Sequence, residues 1–196
     1  MFTNRPAMKK EATPRVNNEQ EDFTKHEREF YHVRDQVQKR LLAKSEGELS
    51  YKDTNKVKQL IEISMSEALD EENILLNRNL REKYLEWLIS DIIGYGPIEP
   101  LLNAPDVTEI MVNGPEEVFV ERFGMIETTN VHFEDEAHLR RIIDRIVSPL
   151  GRRVDETSPM VDARLPNGFR VNATIPPLSL DGPILTIRKF AVRPYT

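Results

Sequence analysis

VDARLPNGFRVNATIPPLSLDGPILTIRKF, residues 161–190, decides how this chain is read. Three segments rich in β-formers, DARL, FRVNATI and ILTIRKF, each carry an arginine. Pro166-Asn167-Gly168 has the composition of a turn between the first two. In the third segment Thr186 and Arg188 share one parity, and Leu185, Ile187 and Lys189 share the other. Arg188 is therefore expected to point away from the apolar side of its strand. From Gly151 to Thr196 there are seven basic residues, Arg152, Arg153, Arg164, Arg170, Arg188, Lys189 and Arg193, against four acidic ones. That segment carries net +3 within a chain of net −6, so the other 150 residues carry −9. A local basic face built almost wholly from arginine suits a phosphate better than a long nucleic acid.

Upstream, VTEIMVN and EVFVER alternate around Asn113-Gly114, and Phe123-Gly124 turns the chain into Met125–Thr128, which predicts an antiparallel meander. A helix is expected from about Asp135 to Val147, with Leu139, Ile142, Ile143, Ile146 and Val147 on one side. Arg140, Arg141 and Arg145 fall on what should be its solvated face, and Pro149 ends it. Before Gly94 the pattern is helical. Phe30, Val33, Val37 and Leu41 mark a first helix over 25–44. Gly47 breaks it, and Ser50 or Asp53 could cap a second bearing Val57, Leu60, Ile61 and Ala68. Leu80, Tyr84, Leu88 and Ile92 mark a third, reaching Ile93, with Trp87 as a packing residue. Gly94, Gly96, Pro97 and Pro100 predict a linker into a second unit.

The expected organisation is a disordered tail over 1–24, a helical bundle over 25–95 and a sheet domain over 96–196. The fold class is α+β with a largely antiparallel sheet. A hydrophobic fraction of 39% and 31% charged residues fit a solvated segment beside a normal core. No cysteine is present, which excludes disulfides and thiolate metal sites. No apolar run approaches the roughly 20 residues of a membrane span, and residues 1–25 lack the apolar core of a signal peptide. A soluble cytoplasmic protein is expected.

Several chemistries are missing. None of the eight glycines precedes a lysine, so the chain has no phosphate-binding loop of the Gly-Lys-Ser/Thr kind. His26, His32, His132 and His138 lack zinc-binding spacing, and His26 and His32 are expected on a solvated helix surface. No serine sits in a nucleophile elbow. The chain alone is not expected to be a complete enzyme. For any one arginine the plain alternative is a solvated strand face paired with Asp155, Glu156 or Asp162. Nucleic-acid binding is disfavoured by the net charge and by the lack of aromatics interleaved with the basic residues.

GYGPIEPLLNAPDVTEIMVNGPEEVFVERFGMIE (94–127), followed by residues 141–190, closely resembles the CpaF-type ATPases of tight-adherence pili, within the type II/type IV secretion ATPase superfamily. The resemblance covers roughly Leu80 to Thr196. It implies a PAS-like N-terminal domain preceded by a helical bundle, in a two-domain motor that assembles as a hexamer. It also implies that ATP lies between this domain and a RecA-like C-terminal domain, which would hold most of the Mg2+ shell and which this chain does not contain. The arginines matching those that reach the ATP phosphates are Arg170, Arg188 and Arg164. Implied partners are the chain's own RecA-like domain, other copies of itself and an inner-membrane platform protein, at the cytoplasmic face of the membrane. No nucleic acid is implied. The other reading kept open is a stand-alone PAS-like sensory or adaptor module.

Overall fold

The computed structural model describes residues 18–44 and 54–189. The expected disorder of residues 1–17, the break at Gly47 and the caps at Ser50 or Asp53 lie outside the described residues, as does Arg193. Three helices come first: α1 (Asn18–Lys44), α2 (Thr54–Glu71) and α3 (Arg78–Ile92). Helix α1 begins at Asn18, so residues 18–24, expected within the tail, are helical. Its apolar stripe of Phe30, Val33, Val37 and Leu41 meets Val57, Ile61 and Met65 of α2 and Tyr84 and Leu88 of α3 in one buried cluster. Ion pairs fasten α1 to α2, Arg40 to Glu71 and Lys44 to Glu67 at 2.6 Å. Asn77 caps α3 by accepting from the Leu80 amide at 2.9 Å, and the half-buried Trp87 packs edge-on against Phe30. Trp87 is thus the packing residue that its position predicts.

The expected linker is a compact corner. Residues 96–98 form a 3-10 turn and α4 (Glu99–Asn103) follows directly. Pro97 and Pro100 do not break these turns because each sits at a start, where the missing N–H has no intrahelical partner to lose. Gly94 is required by space: a Cβ there would lie 2.9 Å from both Glu99 Oε2 and the Ser90 carbonyl. Gly96 is required by conformation, at φ +61° and against Ile142.

The sheet comprises β1 (Val107–Asn113), β2 (Glu117–Arg122), β3 (Met125–Thr128), β4 (Met160–Arg164), β5 (Arg170–Thr174) and β6 (Ile184–Arg188), in the order β3-β2-β1-β6-β5-β4. Every neighbouring pair is antiparallel. Helix α5 (Glu136–Val147), capped by Asp135, lays Leu139, Ile142, Ile143, Ile146 and Val147 onto the apolar face, together with Ile98 and Leu101 from the corner. The class is α+β, a helical bundle followed by an antiparallel sheet domain, as the sequence predicts. Asn113-Gly114 differs in detail. Asn113 pairs with Glu117, so the β1–β2 loop is the three residues 114–116, with Gly114 in the left-handed region at φ +71°.

The helical unit is tied to the sheet domain by buried charge. Asp91 of α3 is 7% exposed and lies 2.8 Å from Nε2 of His138, which is 1% exposed and belongs to α5. Arg34 of α1, 4% exposed, reaches Glu134 at 2.8 Å and Asp35 at 2.7 Å, with Asp91 at 3.8 Å. Arg145, expected on a solvated face, instead donates to the Asp91 and Gly94 carbonyls, both at 2.7 Å, closing the C-terminal end of α3. The helix end offered it carbonyl acceptors and a favourable dipole, which outweigh exposure. Near the sheet edge, His132 pairs with Glu27 of α1 at 2.7 Å.

These groups set the response to pH. Burial alone would raise the Asp91 carboxyl, but His138, then Arg34 and Arg145, outweigh it and hold it below its ordinary value. Its contribution to stability is therefore present above the ordinary carboxylate range and lost as pH falls below about 4. Asp91→Ala should cost about 3–5 kcal/mol in urea unfolding, because the buried Arg34 loses a counter-charge and the buried His138 loses its polar neighbour. A loss under about 1 kcal/mol would show that the contact is not stabilising in this sense. His132 behaves oppositely. Burial lowers its imidazole, but the hydrogen bond and charge of Glu27 raise it more. Its contribution is complete below about pH 6.5 and is lost as pH rises through the elevated folded value. Wild type should lose about 0.5–1 kcal/mol relative to His132→Gln when the pH of the unfolding experiment is raised from 6 to 9.

Candidate functional site

The three arginines singled out by sequence come together. Arg164 pairs with Arg170 across β4–β5, and Arg170 pairs with Arg188 across β5–β6. Residues directly opposite in a ladder point to the same face, so the guanidiniums form one row across three adjacent strands, each strand about 4.8 Å from the next. The row continues through Glu109 of β1 and Glu121 of β2 to Ile126 of β3. Behind it on the same face lie Asp162, Asn172, Thr186, Met111 and Phe119. None of these residues is buried, while Val161, Val171, Ala173, Leu185 and Ile187, on the opposite face, all are. The arginine row thus lies on the uncovered side of the sheet, away from α5.

Local chemistry explains the placement. The Pro166–Gly168 turn closes with a Leu165 amide to Phe169 carbonyl bond at 2.8 Å, which sets Arg164 opposite Arg170. Leu185 and Ile187 are fully buried, and that parity sends Arg188 outward. Lys189, of the apolar parity, turns inward and donates to the Ala104 carbonyl at the end of α4. Burial lowers its ammonium, only partly opposed by Asp106.

The arginines are not equivalent. Arg170 makes a two-pronged contact with Asp162, Nε to Oδ1 at 3.1 Å and Nη2 to Oδ2 at 2.6 Å. This bond holds the exposed Asp162 carboxyl below its ordinary value and raises Arg170. The plain alternative for an arginine here, pairing with Asp162, is thus realised for Arg170. Arg188 is exposed and makes no salt bridge to a described residue. Like charges placed directly opposite destabilise a sheet. Two such pairs stand in succession here, with Asp162 bonded to Arg170 and Glu109 opposite Arg188 on the same face.

Sequence reasoning missed the knot of buried Arg34, Asp91 and His138 with the half-buried Arg145. A signal existed. His138 stands four residues before Ile142 on the α5 stripe, and Asp91 stands three after Leu88 on that of α3. A charged residue on an apolar stripe marks a buried partner.

Residues 92–194 match the model of the type II/IV secretion system protein family, and residues 30–93 match that of the type II secretion system protein E N-terminal domain. A Mycobacterium tuberculosis protein named for conjugal transfer is 34% identical over 118 residues, covering 57% of this chain and 33% of that protein. The type IV secretion system protein VirB11 of Brucella suis is 35% identical over 94 residues, covering 47% of this chain and 26% of VirB11. The crystal structure of that VirB11 ATPase, determined with sulphate, aligns with TM-score 0.47 and 32% identity over 51% of this chain and 31% of its own. The chain spans a third or less of the length of these relatives. With one family model covering more than half of its residues and a second meeting it at the corner between helices and sheet, the chain belongs to the type II/IV secretion system protein family.

Proposed function

We propose that this chain is the N-terminal part of a CpaF-type secretion ATPase, and that its arginine row contacts the phosphates of ATP held by a RecA-like domain elsewhere in the same protein. The observation that carries the reading is the row itself: Arg164, Arg170 and Arg188 on adjacent strands of the uncovered sheet face, with Arg188 lacking a carboxylate partner among the described residues. Their chemistry fits a nucleotide. A guanidinium stays charged at any working pH and offers forked donors to phosphate oxygens, and Asp162 keeps Arg170 extended on the same face until a stronger anion replaces it. Bound ATP would supply the hydrolysable anhydride, with Mg2+ held mainly by the RecA-like domain. Arg188 and Arg170 would orient the phosphate oxygens and neutralise charge on them, and Arg164 would close the flank of the row.

In this reading the helices from Asn18 to Ile92 form a bundle, and the nucleotide-facing domain follows from residue 96. The full protein is a hexamer at the cytoplasmic face of the inner membrane, serving a tight-adherence pilus. Closure of the sheet face over ATP would move the bundle, through the buried contacts of α5 with α3, against a membrane platform protein. Likeness to a family of secretion proteins supports this reading. Among the described residues, no helix is long and apolar enough to cross a membrane.

In the full-length protein, Arg188→Ala should lower steady-state ATP hydrolysis by about 10³–10⁵-fold if Arg188 acts on the transferred phosphoryl group, with ring assembly and thermal midpoint unchanged. Activity within about twofold of wild type would assign Arg188 a surface role. The 196-residue chain alone should show no ATP turnover above buffer in a coupled assay. Sustained turnover by it would overturn the assignment of catalysis to another domain.

A further inference from the structure

A cavity of about 460 Å³ lies where the helical unit meets the sheet domain, on the side of the sheet opposite the arginine row. We propose that it is a binding site for an uncharged, planar aromatic small molecule. This does not rest on the nucleotide reading, since none of the three row arginines lines it.

Four features define the ligand. The volume lies within the roughly 300–1,000 Å³ usual for ligand sites, and a junction between units is a usual place for one. One wall is aromatic: Phe23, Phe30, Tyr31 and Trp87 stand edge to face, Phe23 to Trp87 at 5.0 Å and Phe23 to Phe30 at 5.3 Å. Such a wall favours a flat ring system. The charged side chains at the rim already have opposite charges beside them, although Arg122 Nε and His138 Nε2 make no hydrogen bond among the described residues. Arg122 meets Asp106 at 3.2 Å and Glu127 at 3.7 Å, His132 meets Glu27 at 2.7 Å, and His138 meets Asp91 at 2.8 Å. An anionic ligand would have to break one of these pairs, so a neutral one is favoured. Lastly, the Tyr31 hydroxyl is buried beside the cavity with no hydrogen-bond partner among the described residues, and a small turn of its ring toward the cavity would let one polar atom on the ligand satisfy it.

The position gives the site a consequence. Phe23, Tyr31 and Trp87 belong to α1 and α3, while Leu101, Val120 and Arg122 belong to the sheet domain. A molecule bound among them ties the two units together and strengthens the junction that Asp91 and His138 already make.

The test uses the chain's single tryptophan, Trp87. N-phenyl-1-naphthylamine is uncharged, has one N–H and accepts energy from tryptophan. Titrated into the purified chain, it should quench Trp87 emission saturably at one probe per chain and raise the thermal midpoint. The anionic analogue 8-anilinonaphthalene-1-sulfonate, with the same rings, should bind at least about tenfold more weakly. Ser90→Phe and Ala104→Phe, which fill the cavity from α3 and from the end of α4, should each weaken the uncharged probe by about tenfold or more. Tyr31→Phe should weaken it by about three- to tenfold. Leu180→Ser, at a leucine 92% exposed and outside the cavity, should change nothing and so control for surface adsorption. The proposal is overturned if the uncharged probe does not quench Trp87, if its affinity is unchanged in whichever filled variants fold, or if the sulfonate binds as tightly.

Discussion

Strand β6 holds the sheet domain together. It is last in sequence among the described strands yet sits between β1 and β5, so within the sheet the β1–β2–β3 meander and the β4–β5 hairpin are hydrogen-bonded only through it. Its two fully buried residues, Leu185 and Ile187, set its register, because a slip of one residue would turn both out to solvent and bring Arg188 into the core. Backbone bonds pin both ends, Gly114 amide to Pro183 carbonyl at 2.9 Å and Lys189 amide to Thr108 carbonyl at 2.8 Å. With that register set, Arg188 stands opposite both Arg170 and Glu109, and the sheet face divides into a basic half and an acidic half.

Helix α5 is the second hinge of the design. Its apolar stripe seals one face of the sheet, while His138 at one end and Arg145 at the other grip Asp91 and the closing carbonyls of α3. The helical unit is therefore attached to the back of the same sheet whose front carries the arginines. Packed side chains run from the sheet to α5 and from there to α3, and the coupling we propose would use this contiguous path. The aromatic cavity lies beside this path, where occupancy can stiffen it.

Much of this was legible in the chain. Period-2 alternation carried the strands, the inward face and the outward direction of Arg188, because parity is a local property. Pro166-Asn167-Gly168 and Phe123-Gly124 marked their turns for the same reason. The place of β6 was not legible, since pairing of a last strand with a first depends on contacts some seventy residues apart that no local pattern encodes. Nor was the fate of Arg145 or His138. On a helix, charge reads as solvent exposure until a second helix supplies a buried partner, and α3 could not be placed against α5 from sequence. The bond of Arg170 to Asp162 lay between these cases. Asp162 was a named candidate partner, but its choice over Asp155 and Glu156 followed from the β4–β5 register.

The central claim is that the arginine row faces nucleotide phosphates, and a structure of the full-length protein saturated with a non-hydrolysable ATP analogue and Mg2+ tests it most directly. Arg188, and Arg170 released from Asp162, should then place guanidinium nitrogens about 2.7–2.9 Å from phosphate oxygens. A fully occupied nucleotide whose phosphates lie beyond the reach of both arginines, with the Arg170–Asp162 pair intact, would contradict it.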